Sequence, residues 1–229
     1  MIGLVLALAL MQPVADADRL FDLGLRLVAE GDTAGAVAAW EGAAAAGWTS
    51  AAVEHNLGTV ALARGDAARA RLHLERAARL APLDNAVARN LGLARERAGE
   101  PPPSAARRAW ARAVGVLTPF GVVALALAVS FGALGLAVAG RRRWAAGVGV
   151  LALVAVAGAV VAVSEATRPL GIVMADDAPV VEAPSPTAPG VARLRAGEAV
   201  EVGAPVDGWR PVTVGRAEGW VRADAVEPI

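Results

Sequence analysis

The sequence predicts a multidomain membrane protein: an all-α array of helical hairpins, an α-helical transmembrane hairpin and a small all-β barrel. Three observations predict it. One phrase recurs at a fixed interval of 34 residues, as LGLRLVAEGD at Leu23–Asp32, LGTVALARGD at Leu57–Asp66 and LGLARERAGE at Leu91–Glu100. Two stretches, Pro119–Ala139 and Trp144–Val163, contain no charged residue. From Thr167 onward, Val-x-Val alternation is punctuated by glycines.

Composition narrows the chemistry. Of the 229 residues 56% are apolar, and the excess is concentrated in the uncharged stretches, which points to a membrane segment there. The formal net charge is zero, so nothing suggests a nucleic-acid partner. There is no cysteine, hence no disulfide, no thiolate nucleophile and no cysteine-ligated metal. Without lysine, no phosphate-cradling loop can end in Gly-Lys. The two histidines, His55 and His73, lie on different expected helices, so no zinc pair exists at helical spacing. No serine stands in a G-x-S-x-G elbow. Asp176-Asp177 reads as a solvated turn rather than a metal pair. The expectation is a chain with no catalytic residues, no metal and no cofactor, and therefore not an enzyme.

Residues 1–17 read as a signal peptide. The apolar run Ile2–Met11 is too short to span a bilayer but fits a signal core, and Ala15-Asp16-Ala17 supplies a small-x-small site. The flanking segment lacks arginine, so an uncleaved apolar anchor is the alternative.

Residues 18–99 read as two full helical hairpins plus one capping helix. Gly24, Gly58 and Gly92 share the 34-residue spacing, as do Gly31, Gly65 and Gly99. In the middle unit, Gly58 on the first helix and Ala70 and Ala77 on the second allow close approach, while Leu57, Leu62 and Leu74 fill the gaps. Gly65 ends the first helix in a left-handed conformation, Asp66 caps the second, and Pro82 closes the unit. The third unit retains only its first helix, about Asp84–Ala98, covering the face the last hairpin would leave open. Its run Arg95-Glu96-Arg97 is expected on the outward side.

This pattern resembles the tetratricopeptide repeat. The matching residues are Leu57, Gly58, Ala61, Gly65, Ala70, Leu74, Ala77 and Pro82 in the second unit. In the first they are Leu23, Gly24, Leu27, Gly31, Ala36, Trp40 and Ala43, with Trp48 where the repeat usually has proline. The resemblance implies a concave peptide-binding face. Its candidate residues are His55, Asn56, Arg89 and Asn90, whose side chains could hold a backbone or a terminal carboxylate. For any one of them taken singly, an ordinary packing residue is the favoured reading.

Residues 100–113 form a linker and interfacial segment: Pro101-Pro102-Pro103 is a stiff spacer, and Arg107–Val114 sets arginine and tryptophan beside an apolar run. Residues 114–140 and 144–163 are the expected transmembrane helices, joined by the basic turn 141–143. A buried helix pair within a soluble protein is the alternative, against which the bracketing arginines argue. Neither span holds an ionisable residue, which disfavours a transporter or channel. Arginines are nearly balanced across the spans, so the signal segment decides the topology: a two-pass protein of the bacterial inner membrane, with both terminal domains on the periplasmic or extracellular side.

Residues 167–229 hold the strand-like pieces Ala178–Val181, Val191–Leu194, Ala199–Gly203, Trp209–Val214 and Glu218–Arg222. Together with Gly197, Gly208 and Gly215 they indicate a small barrel. Through Val191, Leu194, Gly197, Val200, Val202, Gly208-Trp209, Val212 and above all Glu218-Gly219-Trp220-Val221 the segment is similar to bacterial SH3-like domains. The early Val181–Pro186 segment departs from their usual pattern. The resemblance implies binding of cell-wall peptides or protein segments, with Trp209 and Trp220 as candidate contact residues. The favoured reading of either tryptophan alone is structural.

The order of signal, repeats, membrane hairpin and SH3-like module resembles the BatE family of aerotolerance operon proteins. That resemblance implies partners: membrane lipid, von Willebrand A-type membrane proteins and a MoxR-type AAA+ ATPase. The function expected is a non-enzymatic, membrane-anchored scaffold of the bacterial envelope, tethering protein or peptide partners. The alternative is a sensor that binds peptidoglycan through the SH3-like module.

Overall fold

Four of the described helices start on a side-chain cap. A computed structural model of the chain describes residues 17–100 and 168–229, except residue 216, together with seven scattered residues between 131 and 160. Helix α1 occupies residues 17–29. It is followed by α2 (Thr33–Ala45), α3 (Ala51–Arg64), α4 (Ala67–Leu80) and α5 (Asn85–Arg97). Asp32, Ser50, Asp66 and Asp84 accept backbone N–H groups from Gly35 (2.8 Å), Val53 (3.2 Å), Arg69 (3.0 Å) and Ala86 (2.7 Å) respectively, so each of these helix starts has at least one of its free donors met. Gly65 stops α3 at φ +80°, a conformation only glycine adopts without strain. Helix α4 stops at Leu80, just before Pro82.

The 34-residue period has a packing cause. Ala36, Trp40 and Ala43 of α2 are buried, and so are Ala70, Leu74 and Ala77 of α4, one period on. A Cβ on Gly24 would lie 2.3 Å from Trp40 Nε1, and one on Gly58 2.6 Å from Leu74 Cγ. Each glycine is the gap into which the large side chain of the next helix fits. Gly92, on the lone last helix, has nothing within 4 Å. Trp48, in place of the usual proline, stacks edge-on against Phe21, with centroids 5.3 Å apart. The run at the end of α5 is exposed at Glu96 and Arg97, as expected, and half-buried at Arg95. Arg95 grips both carboxylate oxygens of Glu75 on α4, and Arg97 Nη1 donates to the carbonyl of Leu62 at 2.5 Å. These bonds tie both guanidinium groups to the neighbouring helices.

The C-terminal part is a seven-stranded antiparallel sheet of order β3-β2-β6-β5-β4-β1-β7. The strands are β1 (Leu170–Val173), β2 (Ala178–Val181), β3 (Gly190–Leu194), β4 (Ala199–Val202), β5 (Trp209–Val214), β6 (Ala217–Arg222) and β7 (Val226–Pro228). Its core comprises Val173, Val180, Leu194, Val200, Val212 and Val221 with their neighbours. Alternation in the sequence locates five strands and misses β1 and β7. β1 reads LGIV, buried at three consecutive positions, so it carries no period of two; β7 has only three residues.

The expected class, a two-pass membrane protein, is corrected. Among the described residues no helix is long and apolar enough to cross a membrane. Helices α2–α5 have 13 or 14 residues each, about 20 Å at about 1.5 Å per residue against a hydrocarbon core of about 30 Å. The described fold is five helices followed by an antiparallel sheet, and the inner-membrane localisation falls with the same finding. The stretches expected to span, 114–140 and 144–163, lie outside the described residues but for those seven, and so do residues 1–16 of the signal segment and the linker from 101.

Two compact units divide the chain: residues 1–102 with 169–229, and residues 103–168. The helices and the sheet thus belong to one unit. Within it, α4 runs against the sheet. Arg71 Nη1 donates to the Gly197 carbonyl at 2.8 Å across 126 residues of sequence. Arg76 Nη2 reaches Glu227 Oε1 at 2.9 Å and the Pro228 carbonyl at 2.8 Å, and Arg79 Nη1 reaches the Ile229 carbonyl at 2.9 Å.

Candidate functional site

The sheet carries a concavity among the described residues. Strands β4, β5 and β6 lie side by side, pairing Val202 with Val212 and Pro211 with Trp220. Val202, Val212 and Val221 point into the core, so by alternation Glu201, Pro211 and Trp220 face the other way. Gly219 makes room for this: a Cβ there would come within 2.5 Å of Val180 Cγ1 and 3.0 Å of the Val181 carbonyl. The motif Glu218-Gly219-Trp220-Val221 therefore places a glycine where β2 presses close and a tryptophan at the open face.

The resulting groove encloses about 450 Å³ and is lined by Trp220, Pro211, Pro169, Glu182, Glu201 and Glu218 among others. That volume falls in the range of small-ligand and side-chain pockets, about 300–1,000 Å³. Glu182 and Glu218 in one lining with a half-buried indole favour a cation: carboxylates attract an ammonium or guanidinium group, and an indole face can accept it. Proline and valine in the same lining offer apolar contact to the stem of such a side chain.

The two candidate tryptophans separate. Trp220 lines the groove, whereas Trp209 is buried at 8% exposure with the Arg222 guanidinium 5.7 Å over its ring. Trp209 is thus a packing residue. Sequence reasoning missed Glu182, Glu201 and Pro211 as groove residues. Glu218 stood inside the quoted motif, but nothing in the sequence signals that β2 and β4 bring two more carboxylates beside it.

On the helices, His55 and Asn90 come together and Asn56 and Arg89 do not join them. The Asn90 side-chain nitrogen lies 3.0 Å from His55 Nε2 and donates to Thr59 Oγ1 at 3.0 Å; Thr59 donates in turn to the His55 carbonyl at 2.7 Å. This small network ties α3 to α5 and occupies part of the polar capacity that a peptide would need. Thr59, one turn on from His55, was missed. Asn56 is half-buried and Arg89 exposed. The second histidine is structural: His73 Nδ1 sits 2.8 Å from Glu54 Oε2, between α4 and α3. Beside the network, backbone N–H groups of Ala86 and then Val87 hold the Asp84 carboxyl below its ordinary range. Among the described residues no group of three or more His, Cys, Asp or Glu side chains could hold a metal ion.

No curated protein and no solved structure matches the chain. One family does: its description is bacterial SH3 domain, and the matched residues are 175–228. That stretch runs from just before β2 through β7 and leaves out β1. The segment that builds most of the groove, residues 175–228, is a bacterial SH3 domain.

Proposed function

We propose that the chain is a non-enzymatic adaptor that binds a protein or peptide partner, and that the groove beside Trp220 is the place of binding. The observation that carries this reading is a half-buried indole that lines one concavity of an SH3 domain together with Glu182 and Glu218. Such a lining recognises an extended peptide bearing a basic group. The helices, with their tetratricopeptide pattern, are a second protein-binding surface, in which Asn56 and Arg89 are the candidates outside the His55–Asn90 network. Von Willebrand A-type proteins and a MoxR-type ATPase, implied by the sequence resemblance to the BatE family, are candidate partners. A second reading, binding of peptidoglycan, is favoured by the same groove, because stem peptides of the wall also carry amino groups.

The test is co-sedimentation of the full chain with purified cell wall, run beside capture on an immobilised arginine-rich peptide. Retention by either, reduced in the Trp220→Ala variant, supports the groove; retention by the wall alone selects the second reading. Equal retention of parent and variant on both, or none on either, contradicts it.

A further inference from the structure

We propose that α4 is the docking surface for the chain's own SH3 domain, and that Arg71, Arg76 and Arg79 form a salt-sensitive latch holding helices and sheet as one body. The three arginines act on the sheet at two places. Arg71 meets the Gly197 carbonyl, in the turn between β3 and β4; Arg76 and Arg79 meet the end of β7. β7 is an edge strand, and a sheet edge left open is a template for unwanted pairing, so covering it with a helix has a clear benefit.

The close approach is built from small residues. Gly197 has φ +82°, and a Cβ there would lie 2.9 Å from Ala98 Cβ and 3.6 Å from the backbone of Ala68. Backbone conformation and contact with the helices both demand glycine at this one position. Interfaces made of such close, polar contacts resemble the reversible kind between domains.

The balance of charge also marks the dock as reversible. Arg71 is only 5% exposed, and its charge is met by Glu100 and, at 3.6 Å, by Glu75. Glu75 is shared with Arg95, and Arg71 Nε has no hydrogen-bond partner. Burial of this cation therefore opposes closure, while its carbonyl bond and the pairs beyond it favour closure. Arg76 and Glu227 keep 27% and 48% of their side-chain surface in water, so salt weakens their attraction. Closed, the dock fixes Trp220 and the His55–Asn90 network in one frame; open, it frees both modules to turn.

The absence of native cysteine allows a direct test in the full chain. Spin labels are placed at Arg69→Cys on α4 and Asp224→Cys in the SH3 domain, where 69% and 76% of the native side chains are exposed. Their separation is measured by pulsed electron resonance. A single narrow distance is expected at low salt. Adding Arg76→Ala, Arg79→Ala and Glu227→Gln together should lower the docked-to-undocked ratio on the order of tenfold, as loss of several surface-class ion contacts implies. Raising salt to about 1 M, where screening acts within about 3 Å, should broaden the distance in the labelled pair with no substitution in the latch, while circular dichroism stays unchanged. Broadening by either treatment supports the latch. A broad distance in the parent at low salt overturns the dock, and a narrow one unmoved by both treatments overturns the latch. No ligand enters the measurement, so its failure is separate from failure of the groove.

Discussion

Gly58 and Gly92 occupy the same place in successive repeats and do opposite things. Gly58 receives the fully buried Leu74, so Gly58→Ala must push Leu74 out of its seat. A loss of about 1–3 kcal/mol is expected, the usual cost of overpacking a filled core. Gly92 sits in a helix with open space where its Cβ would be. Gly92→Ala should raise stability by about 0.5–1 kcal/mol, the helix preference of alanine over glycine. Urea unfolding of both variants checks the pair of signs. The buried Glu54 gives a third test: His73→Ala removes its partner and should cost about 1–3 kcal/mol on the same assay. At this scale the repeat was legible because a fixed spacing of glycines and large residues is itself the packing rule. The Glu54–His73 pair was not, since nothing in a sequence says that two polar residues 19 apart face each other indoors.

Among the elements, α5 depends on its cap. Asp84 accepts from Ala86 and Val87, and those bonds hold its carboxyl below the ordinary value of 3.8. A depressed folded-state value means that the cap stabilises above the unfolded-state value and is lost as pH falls through the folded-state one. Hydrogen exchange at the Ala86 and Val87 amides should therefore accelerate below about pH 4 relative to the helix centre. In Asp84→Asn, which caps without titrating, that acceleration should be absent. Caps, helix stops and alternating strands were legible because each is a local rule. β1 and β7 escaped because a strand buried at consecutive positions and a three-residue strand have no local signature. The long apolar stretches read as spans on length and charge alone, whereas the helices described are too short for that role.

For the whole molecule, sequence order and spatial order part company. Reading along the chain gives an array and a module far apart; the structure places them in one compact unit with Arg71 against Gly197. No periodicity could announce that contact, because it joins single residues 126 apart. The groove has the same character: the motif at Glu218–Trp220 was visible, but its other carboxylates arrive from separate strands. Binding there should be electrostatic as well as aromatic. Glu182→Gln with Glu218→Gln is expected to weaken a basic peptide several-fold and to flatten its salt dependence, with the fold unchanged by circular dichroism. The most direct measurement is a calorimetric titration of the full chain, parent and Trp220→Ala, with an arginine-rich peptide and with soluble wall stem peptide. Saturable binding of at least one of them, weakened about tenfold or more in the variant, is the predicted result. Identical isotherms for parent and variant, or no heat from either ligand, would contradict a binding groove at Trp220.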